Sequence, residues 1–560
     1  MTDTITPTAT SAGSASAAPP RSGGLTHRQI LVILSGLLLG MFLAALDQTI
    51  VSTAMRTIAD KLHGQTAQAW VTTAYLITST ISTPLYGKLS DTYGRKRFYL
   101  FAIGIFIVGS MLCGTATGIY QLAGYRALQG IGAGGLMSLA FAIVGDIVPP
   151  RERGRYQGYF MSVFGTSSVL GPVLGGTLAG QNHLLGIDGW RWIFYVNVPI
   201  GLAAFFVVTR KLHLPVHRSN AKTDYVGAGL LIAAVVPLLL VAEKGREWGW
   251  TSALTLGLVA VTVLALIAFV PWERRMGEAA ILPLRIFSSS VFNLSSAVSL
   301  LVGTAMFGSI VVLPLYLQIV RGNSPTKAGL LLIPLMLGII STSFISGKVM
   351  ARTGKYKKLP IMGTAVMFVA VLLFSTLAVD TPVRQAGIYM AVMGAGLGLS
   401  MQTLIISVQN ALPPADMGVA TSSVTFFRSM GGTFGAALSL AVLFSTLVGN
   451  IRSRAVHAGL PQAVIDRFGS ATSLNDTSVL KTLPVTIRRV VLEGFADSMH
   501  TVFLTVAVLL VPAFFLALRI KEVPLRTTGG LAAQDGDQNG DQNGDNAKLR
   551  GDATAETAVV

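Results

Sequence analysis

Fourteen long apolar runs, spaced along almost the whole chain, constrain this sequence more than any other feature. They lie at 30–51, 68–87, 98–117, 120–147, 157–180, 192–210, 224–242, 252–272, 291–320, 326–350, 359–379, 385–409, 418–447 and 499–519. A helix needs about 20 predominantly apolar residues to cross a bilayer, and in lipid its backbone amides must be satisfied within the segment. The runs meet that length, so the chain is predicted to be an all-α polytopic membrane protein. Composition agrees: 52% of the 560 residues are hydrophobic and 12% are charged, an apolar excess suited to facing lipid. The first run is long for a signal-peptide core and is followed by its equals, so it reads as a retained span. Residues 1–28 and 522–560 are small and polar and read as disordered cytoplasmic tails.

The net charge of +17 would by itself suit a nucleic-acid partner. Its placement excludes one. Lys88 and Arg95 to Arg97, Arg151, Arg153 and Arg155, Arg210, Lys211, Arg218 and Lys222, and Arg352, Lys355, Lys357 and Lys358 all fall in alternate connections between runs; the short connections on the other side are poorer in basic residues, although the long one at 448–498 carries several. Basic residues concentrate on the cytoplasmic side, which places those connections and both termini inside the cell. The polar stretch 448–498 then reads as an outer loop, with a glycosylation-type triplet at Asn475 to Thr477. The lone Cys113 excludes an intramolecular disulfide, and the histidines show no ligand spacing, so no metal or cofactor is expected.

An internal repeat groups the runs. Gly87-Lys88, with Gly94 and the basic residues after it, follows the second run; Gly347-Lys348, with Gly354 and its own basic residues, follows the tenth at the same offsets. Each copy then follows the second helix of a six-helix bundle, a duplication typical of transporters. The expected organisation is a first bundle at 29–210, a linker with two inserted spans at 211–285, and a second bundle at 286–521.

Charges inside the runs are few. Asp47, Arg126 and Arg428 lie away from the ends, where a charge costs at least about 2.5–3.5 kcal/mol and is a functional hypothesis by default. Asp47 is the one acid among them. Burial disfavours a carboxylate and a nearby arginine favours it, so opposed influences can poise such a group to take and lose a proton. Arg126 is the expected partner, the alternative being a permanent structural ion pair. Arg428 reads either as a cation on the substrate pathway or as packing near Gly431 and Gly432. In the fifth run, Gly165, Gly171, Pro172, Gly175, Gly176 and Gly180 would allow close helix approach. Gly130 to Gly135 fits a dinucleotide fingerprint but lies mid-run with no preceding strand. Asp535, Asp537 and Asn539 resemble the start of a calcium loop, but Asn546 stands where the closing glutamate belongs.

Five segments together resemble one family. Leu46 to Val51 is similar to an acidic first-helix motif, Gly87 to Arg97 to a signature loop, and Tyr125 to Gly134 to an arginine-bearing helix motif. Gly165 to Gly180 is similar to an antiporter motif, and Trp190 to Pro199 to a branch-specific opening of the sixth span. The resemblance is to the fourteen-span drug:proton antiporters of the major facilitator superfamily. It implies that the chain is not an enzyme. It implies instead a bacterial cell-membrane exporter of hydrophobic or monovalent cationic small molecules, working by alternating access on the proton gradient, functional as a monomer, with protons, substrates and lipid as its partners. It also implies that Gly87, Asp91, Gly94, Arg95 and Asp146 form a gating latch, the alternative being a purely topogenic charge cluster. Tyr75, Phe164, Phe307, Tyr316, Gln318, Gln402, Gln409 and Phe427, with Arg428, are the expected cavity residues. A dedicated exporter of one physiological compound, such as an antibiotic, lipid or siderophore, is the alternative within the fold. A proton-coupled uptake carrier and a membrane-embedded enzyme or receptor are more distant readings.

Overall fold

The computed structural model describes residues 27–63, 67–212, 224–323, 325–413, 416–460 and 484–525. Long helices carry nearly all of it: α1 (His27–Lys61), α2 (Gln68–Tyr93), α3 (Arg95–Thr115), α4 (Ile119–Ile147), α5 (Pro150–Gly180), α6 (Trp192–Tyr195), α7 (Asn197–Lys211), α8 (Tyr225–Trp248), α9 (Ala253–Met276), α10 (Ser290–Leu315), α11 (Pro325–Leu330), α12 (Ile333–Thr353), α13 (Lys358–Ser375), α14 (Val383–Ala411), α15 (Met417–His457) and α16 (Val485–Arg519). Each of the fourteen predicted runs is helical. Among the described residues thirteen helical segments are long and apolar enough to cross a membrane, and α2, rich in Thr and Ser, supplies the remaining span. Two predicted spans are interrupted. The sixth span divides into α6 and α7, with Asn197 opening the second piece and Pro199 in its first turn, where a missing N–H costs no helical bond, and Pro334 likewise stands in the first turn of α12 after α11.

Packing repeats as the sequence does. In the first half α2 and α3 pack on α4, and α1 on α5; in the second half α12 and α13 pack on α14, and α10 on α15. Gly94 and Gly354 occupy equivalent turns with φ of 103° and 67°, backbone that favours glycine, and each amide caps the carbonyl four residues earlier. Gly134 meets the Ser79 carbonyl of α2 just as Gly394 meets the Leu335 carbonyl of α12, so a Cβ at either would drive the helices apart. The inserted α8 packs on α9 and lies beside α2 and α15, while α9 turns most of its surface outward. Across the two halves, α5 meets α12 and α2 meets α15.

The outer loop predicted at 448–498 is shorter than expected. α15 runs on to His457 and α16 starts at Val485, and Arg454 joins the two by pairing with Asp497 at 2.6 Å and Glu493 at 3.5 Å. The polar residues that made this stretch read as loop are helix faces paired with each other. The rest of that loop, including Asn475 to Thr477, and most of the predicted tails lie outside the described residues.

Helix α3 offers a test of the packing. At Gly109 an added Cβ would lie 2.7 Å from the Gln129 Cα of α4, whereas at Gly104 nothing lies within 4 Å. Gly109→Ala is predicted to cost about 1–3 kcal/mol by overpacking, read as a lower midpoint in thermal unfolding followed by size-exclusion chromatography. Gly104→Ala should be neutral or slightly stabilising. Equal losses at both positions would contradict this packing.

Candidate functional site

Asp47 is fully buried on α1 and every approach to its carboxylate is a donor. Oδ2 accepts from an Arg126 guanidinium nitrogen of α4 at 2.5 Å. Oδ1 accepts from Gln129 Nε2, one turn further along α4, at 3.0 Å and from Asn197 Nδ2 of α7 at 2.8 Å. The same Asn197 amide also reaches Ser110 Oγ of α3 at 3.0 Å. Arg126 is shared with Gln129 Oε1 at 2.8 Å and lies over the Tyr75 ring, its Cζ 4.0 Å from the centroid. Three charge-assisted bonds replace the water that an ionised carboxylate would otherwise need. Two polar atoms in this buried cluster have no partner among the described residues: Arg126 Nε and Asn197 Oδ1.

A second cluster joins the two halves at the face that carries the termini. Arg95 Nε donates to Asp146 Oδ2 at 2.7 Å, and another Arg95 nitrogen binds both Asp91 and Ser90 Oγ. Asp91 Oδ2 in turn accepts the Val419 amide at 3.0 Å. Val419 sits in the first turn of α15, where backbone amides lack helical partners, so an acid of the first half caps a helix of the second. Arg153 adds a parallel tie, donating to Gln409 Oε1 of α14 and to the Gly145 carbonyl, both at 2.5 Å. Gln409 Nε2 completes the link to Thr421 Oγ1 at 2.8 Å. Glycine lets the backbones approach here: a Cβ at Gly87 would strike Ser422, and one at Gly418 would strike Asp91 and Arg95.

These geometries can be set beside known proteins. The family model of the Major Facilitator Superfamily matches residues 37–436. The chain belongs to this superfamily. It is 38% identical over 524 residues to an uncharacterized MFS-type transporter of Mycobacterium tuberculosis, covering 93% of this chain and 73% of that protein. It is 33% identical to the multidrug transporter protein MdtP of Bacillus subtilis, covering 90% and 95%, and 33% identical to multidrug resistance protein 3 of the same bacterium, covering 89% and 96%. Among solved structures, the proton:xylose symporter XylE aligns with a TM-score of 0.58 at 15% identity, over 91% of this chain and 100% of that one, which speaks to the fold alone. The chain is therefore a multi-pass membrane transporter with the major facilitator fold of two six-helix bundles and about fourteen spans, and its substrates are small molecules.

The structure of this superfamily member distributes the predicted site residues unevenly. Asp47 pairs with Arg126, the partner expected from sequence, and Asp91 and Asp146 each pair with Arg95. In α5, Gly171 and Gly175 receive Thr49 and Ile50 of α1, and Gly165 and Pro172 meet Ile340 and Gly329 across the two halves. Gly176 is exposed and Gly180 has nothing within 4 Å, because adjacent residues on a helix point about 100° apart and cannot both face α1. Two expected cavity residues have other surroundings. Gln409 belongs to the Arg153 tie, and Tyr316 is buried with its hydroxyl donating to the Ala378 carbonyl at 2.9 Å. Phe164, Phe307, Gln318 and Phe427 are half-buried, Gln402 is buried, and Tyr75 lies beneath Arg126. Sequence reasoning missed Gln129, Asn197 and Arg153 as site residues, since the search inside the spans considered only ionisable groups and Arg153 read as a topogenic charge. A scan for uncharged amides inside apolar runs would have found the first two.

The latch geometry predicts how the seam responds to losing one acid. Ser422 is buried beneath Gly87, so a cysteine placed there by Ser422→Cys should react slowly with a maleimide, and Cys113 is buried too. Adding Asp91→Asn removes a charge-assisted bond to Val419, and the labelling rate should rise by about tenfold. An unchanged rate would mean that Asp91 does not hold the seam.

Proposed function

We propose that this chain is a proton-coupled antiporter that exports lipophilic small molecules, neutral or singly charged, by alternating access. The observation that carries this reading is the Asp47 cluster: a fully buried carboxylate held by Arg126, Gln129 and Asn197 on two other helices. The names of the Bacillus subtilis relatives, a multidrug transporter protein and a multidrug resistance protein, support drug-like substrates. The Asp91–Arg95–Asp146 latch, with its bond to Val419, closes the face carrying the termini, the arrangement that access from the opposite side requires.

Protonation changes what Asp47 needs. A carboxylic acid has an O–H that requires an acceptor, while all three present partners donate. Asn197 can answer by turning its amide through 180°, which brings the unpartnered Oδ1 to where Nδ2 now stands, accepting from Asp47 and, after hydroxyl rotation, from Ser110. Asn197 opens α7 beside the Pro199 break, so this exchange links the protonation state of α1 to the sixth span. With one mid-span acid, one proton enters per cycle. Exchange for a monovalent cation, the substrate expected from sequence, then moves no net charge, while a neutral substrate gains about 2.3 kcal/mol per 100 mV of membrane potential.

The test uses acidified proteoliposomes carrying a pH-sensitive dye in the lumen. Adding substrate should release protons from native vesicles, and Asp47→Asn should abolish that release while leaving binding intact. Asn197→Ala, which keeps the acid and removes its turning partner, should slow release by about tenfold or more. Release from Asp47→Asn vesicles at the native rate would contradict the proposal.

A further inference from the structure

We infer that the second bundle holds a receptor for an anionic group, formed by Arg428 and Gln402, and that the preferred substrates are lipophilic molecules carrying a carboxylate or a comparable singly charged oxyanion. The inference rests on the transport reading above and reverses the charge that the sequence alone suggested.

Arg428 lies eleven residues into α15, about 16 Å of helix from the face carrying the termini. It is half-buried, and among the described residues it makes no hydrogen bond, ion pair or ring contact. Intramembrane charges normally pair with one another or face a watery cavity, as Asp47 and Arg126 pair here. An accessible guanidinium at that depth, unmatched among the described residues, leaves its donors for something those residues do not supply.

Gln402 supplies the second donor. Its residue is 3% exposed and its Nε2 has no acceptor among the described residues. The two are placed together by a register visible at the seam. Gln409 of α14 bonds Thr421 of α15 at 2.8 Å, and the helices run antiparallel. Seven residues back from Gln409 is Gln402, and seven residues on from Thr421 is Arg428. Seven residues make almost two whole turns, so both side chains keep the faces that bring Gln409 and Thr421 together, at one common depth about 10 Å further in. Half-buried aromatic rings flank the pair. Phe427 adjoins Arg428 in sequence, and Phe307 of α10 packs over Gly432, one turn beyond Arg428, at 2.6 Å from where a Cβ would stand.

Electrostatics favours the same sign. The carboxylate that could attract a cationic drug, Asp47, is fully buried and already receives three donors. With Asp47 ionised, the mid-span charges Asp47, Arg126 and Arg428 leave one positive charge in excess, and protonation of Asp47 leaves two. A guanidinium and an amide N–H suit a carboxylate's two oxygens, and rings nearby suit an aromatic body. Exchange of one proton for one monoanion carries charge in the direction that an inside-negative membrane favours, so an anion is also the better driven cargo.

The experiment measures equilibrium binding to the purified full chain in detergent, using pyrenebutyrate, its methyl ester and ethidium. The native protein should bind the acid more tightly than the ester. Arg428→Ala should weaken binding of the acid by at least about tenfold, the worth of a hydrogen bond to a charged group, with ester binding nearly unchanged, and Gln402→Leu should weaken the acid less. Arg428→Lys, which keeps the charge and loses the planar fork, should fall between. Unchanged ester binding also shows that the variants are folded. Acid and ester bound equally by the native protein, or weakened equally by Arg428→Ala, would overturn the inference, as would ethidium outcompeting the acid. Binding needs no gradient, so this result stands apart from proton release: selective acid binding without proton movement would overturn the antiport reading and leave the anion receptor in place.

Discussion

An ionised carboxylate inside a membrane protein has to be surrounded by donors, and the structure is organised around meeting that requirement for Asp47. Arg126 and Gln129 reach it from α4 and Asn197 from α7, so one side chain of α1 fixes the relation of three helices. The requirement is conditional on charge. Once the carboxylate is neutral the same donors are mismatched, and the helices that supply them have reason to move. Replacing one partner of such a buried pair is costly, typically about 3–5 kcal/mol, because the other charge is stranded; under the proposed proton coupling, that cost is what a single proton on Asp47 would bring to bear on the bundle.

The second organising feature is the seam. Helices α2 and α15 meet where Gly87 and Gly418 remove side chains, and Asp91 then caps α15 from the other half of the molecule. A cap of this kind is held by one amide and one carboxylate oxygen, enough to favour a closed face and weak enough to release. Arg153 and Gln409 brace the same face from α5 and α14. The inserted pair lies outside the bundles: α8 lies against α2 and α15, with Thr73 donating to Glu243 at 3.3 Å and the Trp70 and Trp248 rings 6.3 Å apart at the start of α2, the end away from the latch, while α9 makes few contacts besides α8.

Much of this was legible from sequence, for definite reasons. Span number follows from run length, because a bilayer admits little other than long apolar helices. The pairing of Asp47 with Arg126 followed from scarcity: with so few mid-span charges, opposite ones have few partners. The latch residues were found by resemblance: Asp91 lies in the last turn of α2 and Arg95 opens α3, and the turn at Gly94 is what brings them together. The sequence was silent where neutral groups carry the chemistry. Gln129 and Asn197 carry no charge and lie within apolar stretches, and only a fold shows that both amides point at one carboxylate. It also misled where periodicity was read too generously, as with Gly176, and where paired polar helix faces looked like loop, as between Arg454 and Asp497. Gln409 and Tyr316 read from sequence as cavity residues because polar and aromatic side chains line cavities and seams alike, and the sequence does not say which.

The central claim is that the proton on Asp47 decides which face of the transporter is open. It is tested most directly by measuring, with paired spin labels, the distance between the two bundles at the face opposite the termini. Tyr120 at the start of α4 and Ile388 near the start of α14 are exposed and suit labelling as Tyr120→Cys and Ile388→Cys. Lowering the pH should shift the distance distribution of the native protein, and the Asp47→Asn protein should show a single distribution at every pH, matching the acid form. A pH-dependent shift of the same size in Asp47→Asn would contradict the account.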